Sequence, residues 1–339
     1  MYQIFLYFIS LLLASFFLLN FTILILRNCN FYSKPTDRGL HKDPVITSGG
    51  SYFIFYIVFI YLTFDGTIIG YSFLEISLIL IFAIIFGIYD DKNNLTRRFK
   101  LLTQIILSLI LIIFFNFQLL QNFFPSLNYT YIYLFLNIFF IIAFINFVNF
   151  IDGSDGNLIL FVFFIFICLL IKLNFIKEVN EYIYLLYFIP FLVSFYLLNI
   201  RKKIFLGESG SLYLGIFLVL NLEHFAIKEI MKISDLLIIS SYFLVDMIIT
   251  FVLRIYIYGF NSFKAHRDHS YQFFCHLMND HKKFNLFMGI YNFGYILPIY
   301  LLNLLGYIPE FISVLLCIVP PVFFVLKYSP LIKILNEKK

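Results

Sequence analysis

Residues 131–156 read YIYLFLNIFFIIAFINFVNFIDGSDG. From Tyr131 to Asn149 the stretch is apolar and long enough to cross a hydrocarbon core of about 30 Å as a helix. Its last turns and the loop that follows carry Asn146, Asn149, Asp152 and Asp155 at strict three-residue spacing. On a helix end that spacing makes one polar stripe, and Gly153 and Gly156 then let the backbone turn. Asx-turns alone account for Asp-Gly pairs. They do not account for two asparagines inside an apolar span, because buried amides and acids need partners. A ligand rich in hydrogen-bonding groups would supply them.

The same pattern extends in both directions. The chain has 339 residues, 62% hydrophobic and only 13% charged, with a mean hydropathy of +0.94. Soluble domains are about half apolar, so the composition predicts an all-α polytopic integral membrane protein. Spans are expected near 3–26, 51–64, 68–89, 101–120, 131–149, 158–175, 181–199, 211–224, 235–255, 285–304 and 308–327. The longest polar stretch, near 256–284, is too short to bury a core of its own. Residues 1–339 are therefore read as one membrane-embedded domain with loops at 27–50, 90–100, 150–157, 199–210 and 256–284. The first span lacks a basic leader and a small-residue cleavage site, so it reads as a retained helix. Cys29, Cys168, Cys275 and Cys317 form no metal or redox spacing and read as isolated thiols.

Lys and Arg set the expected orientation. Of 24 such residues, only Lys172, Lys177, Lys228 and Lys232 follow even-numbered spans. The other 20 follow odd-numbered spans or close the chain. Basic loops stay in the cytoplasm, which predicts the N-terminus outside, the C-terminus inside and every polar loop above on the cytoplasmic face.

Carboxylates within reach of a bilayer are costly and mark function by default. Asp90 and Asp91 close the third span, where each faces the other's charge and the negative end of a helix dipole. A solvated helix end is the plain reading. A site for a divalent metal or phosphate is the sharper one, with Lys100 and Gln104 one turn apart on the next helix. Phe205-Leu206-Gly207-Glu208-Ser209-Gly210-Ser211 follows a basic run and opens a span. Backbone N–H groups at such a start favour phosphate, and Glu208 could hold a bridging cation, although an ordinary acidic first turn fits equally. Asp246 and Arg254 share a helix face eight residues apart, and mutual neutralisation is expected there. His266, Arg267 and His269 form a basic cluster suited to a diphosphate. Arg38, His41 and Lys42 precede Pro44 and Gly49-Gly50 in the first loop.

Together these segments resemble the polyprenyl-phosphate N-acetylhexosamine-1-phosphate transferase family. The resemblance rests on Arg38-x-x-His41-x-x-Pro44 with Gly49-Gly50, and on Gly87-x-x-Asp90-Asp91 with Lys100 and Gln104. It also rests on Asn149-x-x-Asp152-Gly153-x-Asp155-Gly156, Phe205-x-Gly207-Glu208-x-Gly210-Ser211, Asp246, and His266-Arg267-x-His269-x-Tyr271-Gln272. It implies a transferase that moves an N-acetylamino-sugar 1-phosphate from a UDP-sugar to undecaprenyl phosphate, releasing UMP. Mg²⁺ is the implied cofactor, with Mn²⁺ able to substitute, and a homodimer is compatible. By resemblance Asp90 and Asp91 are catalytic, while Asp91 and Glu208 hold the metal. Lys42, Lys100, Asn149, Asp152, Asp155, Phe205, His266, Arg267 and His269 bind substrate. The implied location is a bacterial inner membrane with the site facing the cytoplasm. The lack of three consecutive histidines in the last loop is similar to the O-antigen-initiating branch of lipopolysaccharide synthesis, not to the muramyl-pentapeptide translocase. Glu208 stands where the family carries Asp. A transporter also uses intramembrane acids, but it predicts acids at the bilayer midplane and an internal repeat, and neither is present. An alcohol phosphatidyltransferase would need Asp-Gly-x-x-Ala-Arg, whereas Asn157-Leu158-Ile159-Leu160 follows Asp155-Gly156. An inactive relative stays open through Glu208.

Overall fold

The computed structural model describes residues 2–33, 43–63, 67–68, 71–123, 130–178, 182–259, 268–278 and 280–337. The chain divides into two compact units, one of Met1–Ile159 with Leu173–Met231 and one of Leu160–Lys172 with Lys232–Lys339. In chain order the first contains α1 (Tyr2–Asn28), the short antiparallel pair β1 (Tyr32–Ser33) and β2 (Val45–Ile46), and a 3-10 turn at Gly49–Phe53. Helix α2 (Ile54–Thr63), the two-residue pair β3 (Thr67–Ile68) and β4 (Tyr71–Ser72), α3 (Phe73–Asn93), α4 (Arg97–Phe114) and α5 (Leu119–Phe123) follow. Then come α6 (Thr130–Ile151), α7 (Asn157–Phe175), α8 (Ile183–Asn199) and α9 (Gly207–Ile227). The middle of α7 belongs to the second unit. That unit continues with α10 (Ile233–Ile239), α11 (Ser241–Tyr258), α12 (Ser270–Met278) and α13 (His281–Gly289). A π-helical stretch at Ile290–Ile296 leads into α14 (Leu297–Leu304), α15 (Glu310–Tyr328) and α16 (Pro330–Glu337).

The protein is an all-α polytopic membrane protein. Among the described residues eight helices are long and apolar enough to cross a membrane, and Gly49–Thr63 and Ile183–Asn199 are apolar but shorter. Every expected span falls on a helix. One differs in shape: the span expected over 235–255 is broken at Ser240, which separates α10 from α11.

Helix α9 is the axis of the first unit. From Leu212 to Leu220 it is apolar on all sides, and it is buried over nearly its whole length, as such a helix must be. The ring of Tyr213 stacks on Phe53 at 5.0 Å, and Phe188 meets Phe217 at 5.3 Å. Two glycines set how closely other segments approach this axis. A Cβ at Gly87 on α3 would stand 2.2 Å from Ser209 Cα, and one at Gly50 would stand 2.0 Å from Gly210 N. Only a hydrogen fits at either place, so backbones touch where side chains would normally intervene.

Helix α3 starts on a capping box, in which Ser72 Oγ accepts from Glu75 N and Glu75 accepts in return from Ser72 N. It stops at Asn94, which turns left-handed at φ 50°. Asp90 closes that end, its Oδ1 accepting from Leu95 N at 2.9 Å.

Candidate active site

The first turn of α9 is placed by a strand-like pairing. Ile46 bridges Ile204, Phe205 N donates to Ile46 O, and Gly49 and Gly50 N–H groups donate to the carbonyls of Phe205 and Leu206. These bonds fix the loop carrying Ser48 against the start of α9. The end of α3 then meets the same place through Gly87.

Asp90 and Asp91 are neighbours that face different partners. Asp90 is 2% exposed, and its Oδ2 lies 2.6 Å from Lys100 Nζ. The same ammonium lies 2.7 Å from Glu208 Oε1. The second oxygen of Glu208 accepts from Asn149 Nδ2 at 2.7 Å, and that nitrogen also meets Ser211 Oγ at 3.0 Å. Asp91 instead turns to backbone: its Oδ1 accepts from Glu208 N at 2.9 Å, and its Oδ2 from Ser48 Oγ at 2.8 Å and Ser209 N at 3.4 Å. Burial works against the Lys100 ammonium, but the Glu208 and Asp90 carboxylates outweigh it and hold its pKa above the usual lysine value.

The polar stripe bends into this cluster. Asn199 ties the turn to the basic loop, accepting from Gly156 N and donating to Ile204 O. Asp152 and Asp155 are both half-buried in that turn. Burial, together with the charges of Glu208, Asp155 and Asp91, raises the Asp152 pKa well above the carboxylate range. Asn146 pairs with Gln104 through reciprocal amide bonds, one of 2.9 Å. Phe205 is half-buried beside Glu208 in the chain, with its backbone bonded to β2.

A cavity of about 650 Å³ opens on this cluster, with Asp90, Asp91, Lys100 and Glu208 in its wall. The rest of its wall includes Asn30, Ser33, Thr47 and Asn94, none of which the sequence singles out. Lys92 also lines it, with its ammonium 5.7 Å from the Phe31 ring centroid. None of these stands out as a residue type. Ser48 did carry one signal, since it precedes Gly49-Gly50, where the chain turns sharply and Ser48 itself takes a φ of 64°.

In the second unit the expected Asp246–Arg254 pair does not form. Asp246 is fully buried and accepts from His269 Nδ1 at 3.0 Å and Ser270 N at 2.9 Å. Arg254 pairs with Asp268 and lies over the Tyr258 ring. Eight residues of helix rise about 12 Å, so one face was shared without contact. Lys42, His266 and Arg267, with Arg38 and His41, lie outside the described residues.

Whether the acids suit a metal turns on charge and on geometry. Asp152, Asp155 and Glu208 interact as like charges, a set of hard oxygen donors in need of a cation. Among the described residues, no three acidic, histidine or cysteine side chains already form a cage. The donor chemistry fits a hard divalent ion, with Lys100 holding the cluster together on one side.

Residues 73–224 match the family model of glycosyl transferase family 4. The matched stretch runs from the start of α3 almost to the end of α9 and contains Asp90, Asp91, Lys100, Asn149, Asp152, Asp155, Phe205 and Glu208. It supports, in general terms, a multi-pass membrane sugar-phosphate transferase that uses a nucleotide sugar and a polyprenyl phosphate. No curated protein matches the chain.

Proposed function

We propose that this protein transfers an N-acetylamino-sugar 1-phosphate from a UDP-sugar to undecaprenyl phosphate at the cytoplasmic face of a bacterial inner membrane. The lipid product would initiate a cell-envelope polysaccharide of the O-antigen kind. The observation that carries this reading is the Asp90–Lys100–Glu208 cluster set in the wall of the cavity, inside the family-matched stretch. The basic loops beside the cluster support the cytoplasmic side.

In the reaction an oxygen of the lipid phosphate bonds to the sugar-bearing phosphorus while that phosphorus loses its bridging oxygen to UMP. The lipid phosphate is largely ionised near pH 7, so base catalysis has little to add. What the site must do is place two anions together and absorb the charge on the leaving phosphate. Lys100 is a fixed cation at the cavity wall, held by Asp90 and Glu208 so that its remaining donor can meet a phosphate oxygen. Mg²⁺, when bound, would neutralise charge between the substrates and on the leaving group; Glu208 and the like-charged Asp152 would hold it, in place of the expected Asp91. Asn149, Asp155 and Phe205 are assigned to the uridine and sugar, through amide and carboxylate hydrogen bonds and a ring that can stack on a base. His269, oriented by buried Asp246, and the His266 and Arg267 of its loop are assigned to the donor diphosphate.

Purified protein given undecaprenyl phosphate and a panel of UDP-sugars should release UMP with one of them in a Mg²⁺-dependent way. Absence of UMP release across the panel, in folded protein, would refute the reading.

A further inference from the structure

Asp91 has the neighbours of a helix cap. Helix α9 begins without one of its own: Leu206 stands at the cap position and supplies no side-chain acceptor. The first N–H groups of a helix need partners, and a carboxylate there is favoured by the dipole as well. Asp91 arrives from α3, 117 residues earlier in the chain, and accepts from the first two N–H groups after Gly207. A third donor, the Ser48 hydroxyl, meets its Oδ2. A Cβ at Gly207, where φ is +74°, would stand 2.4 Å from Asp91 Oδ2, so the glycine leaves room for this carboxylate. One turn before Asp91, Gly87 brings the α3 backbone onto Ser209.

We infer that Asp91 is a positioning residue, the anchor that holds the first turn of α9 and thereby Glu208, and not a ligand of the cation. Its two oxygens already accept from three donors in two other segments. Asp90, its neighbour, has no part in this and faces Lys100 instead. The fold thus gives adjacent carboxylates separate tasks: one organises the helix start and the other organises the cation. The consequence for turnover rests on the transferase reading above; the assignment of Asp91 to the helix start does not.

Hydrogen exchange at the amides of Glu208 and Ser209 reads the contact directly. Asp91→Ala should speed their exchange about fivefold or more, the size expected for losing a helix cap. Asp91→Asn, whose one acceptor oxygen can take the Glu208 N–H while its NH2 donates to Ser48, should restore protection at Glu208 and not at Ser209. Asp90→Asn should leave it unchanged. Ser48→Ala removes a donor and no carboxylate: the positioning role predicts a fall in kcat at unchanged KM with Mn²⁺ affinity little changed, whereas a metal-ligand role predicts weaker Mn²⁺ binding, because the hydrogen-bond partner of a ligating carboxylate tunes the metal. Unaltered exchange in Asp91→Ala would overturn the inference. So would a tenfold loss of Mn²⁺ affinity in Asp91→Asn equal to that in Glu208→Gln. If no UDP-sugar is turned over, the transferase reading fails while the exchange measurement still decides the role of Asp91.

Discussion

Helix α9 carries one carboxylate at each end, and the two have opposite surroundings. Glu208, in the first turn, is 34% exposed, meets Lys100 and Asn149, and borders the cavity. Glu223, four turns on, is 1% exposed and accepts from Gln118 N at 2.5 Å. Its second oxygen is buried with no hydrogen-bond partner among the described residues. The two acids are 15 residues apart, about 22 Å along the axis. An acid tied to one backbone N–H and sealed from solvent closes a fold. An acid shared between a lysine and an amide at the edge of a cavity can exchange partners with a ligand. Burial therefore separates the two roles better than charge does.

The sharpest way to break this comparison is to neutralise each end in turn. Glu208→Gln should lower turnover by roughly 10²-fold or more, the scale for losing a charged group that stabilises phosphoryl transfer. Glu223→Gln should leave kcat within about threefold, because the amide still accepts from Gln118 N and no charge near the chemistry changes. Equal losses in the two variants would remove the distinction.

Lys100 tests the Glu208 end alone. Replacing it by Met leaves Asp90 buried beside an apolar side chain, and breaking a buried pair costs roughly 3–5 kcal/mol. Lys100 is 30% exposed, so about 3 kcal/mol is expected, read as a lower denaturation midpoint. Adding Asp90→Asn should recover much of that loss, since the uncompensated charge goes with it. A double variant no more stable than Lys100→Met would mean that the ion pair is not what Lys100 contributes.

Glycines sharpen the comparison on packing grounds. Gly87→Ala should destabilise by about 2 kcal/mol or more, because overpacking a tight contact costs about that and the atom it meets is the Ser209 backbone. Gly289→Ala, with nothing within 4 Å of the added carbon, should be neutral or stabilise by about 0.5 kcal/mol. Similar thermal midpoints for the two would contradict the close approach of α3 to α9.

How much of this was legible in the chain divides along the same line. Apolar runs gave the helices, since crossing a membrane demands length and hydrophobicity that sequence records directly. Asp90, Lys100 and Glu208 were each legible because charge is rare in this composition, but their meeting was not. The break at Ser240 was not, because the apolar run continues across it. The cavity wall at Asn30, Ser33, Thr47 and Asn94 is made of ordinary polar residues gathered by the pairing of Ile46 with Ile204, a contact between positions 158 apart. The role of Asp91 was hidden for the same reason: two of its three partners are backbone amides of another helix and the third is a serine hydroxyl. Asp246 misled in the opposite way, since a shared face suggested a pair that helix rise keeps apart.

Asn149 gives the smallest expected effect and the finest discrimination. Its amide donates to Glu208 Oε2 and lies near Ser211 Oγ, so it can act by aiming Glu208 or by touching the nucleotide. A hydrogen bond to a charged group contributes roughly 1.5–3 kcal/mol when buried. Glu208 is a third exposed and still held by Lys100, and water would replace part of what is lost, so Asn149→Ala should cost about 1 kcal/mol, or roughly fivefold in kcat/KM. If Asn149 only aims Glu208, the loss falls on kcat and KM for the UDP-sugar stays put. If it binds the nucleotide, KM rises and kcat holds. Asn149→Asp separates the two further, because a carboxylate 2.7 Å from Glu208 Oε2 repels it and should lower kcat beyond the alanine variant. An alanine variant that loses more than about a hundredfold would show that Asn149 touches the reacting groups themselves, and the division between the two ends of α9 would then have to include it.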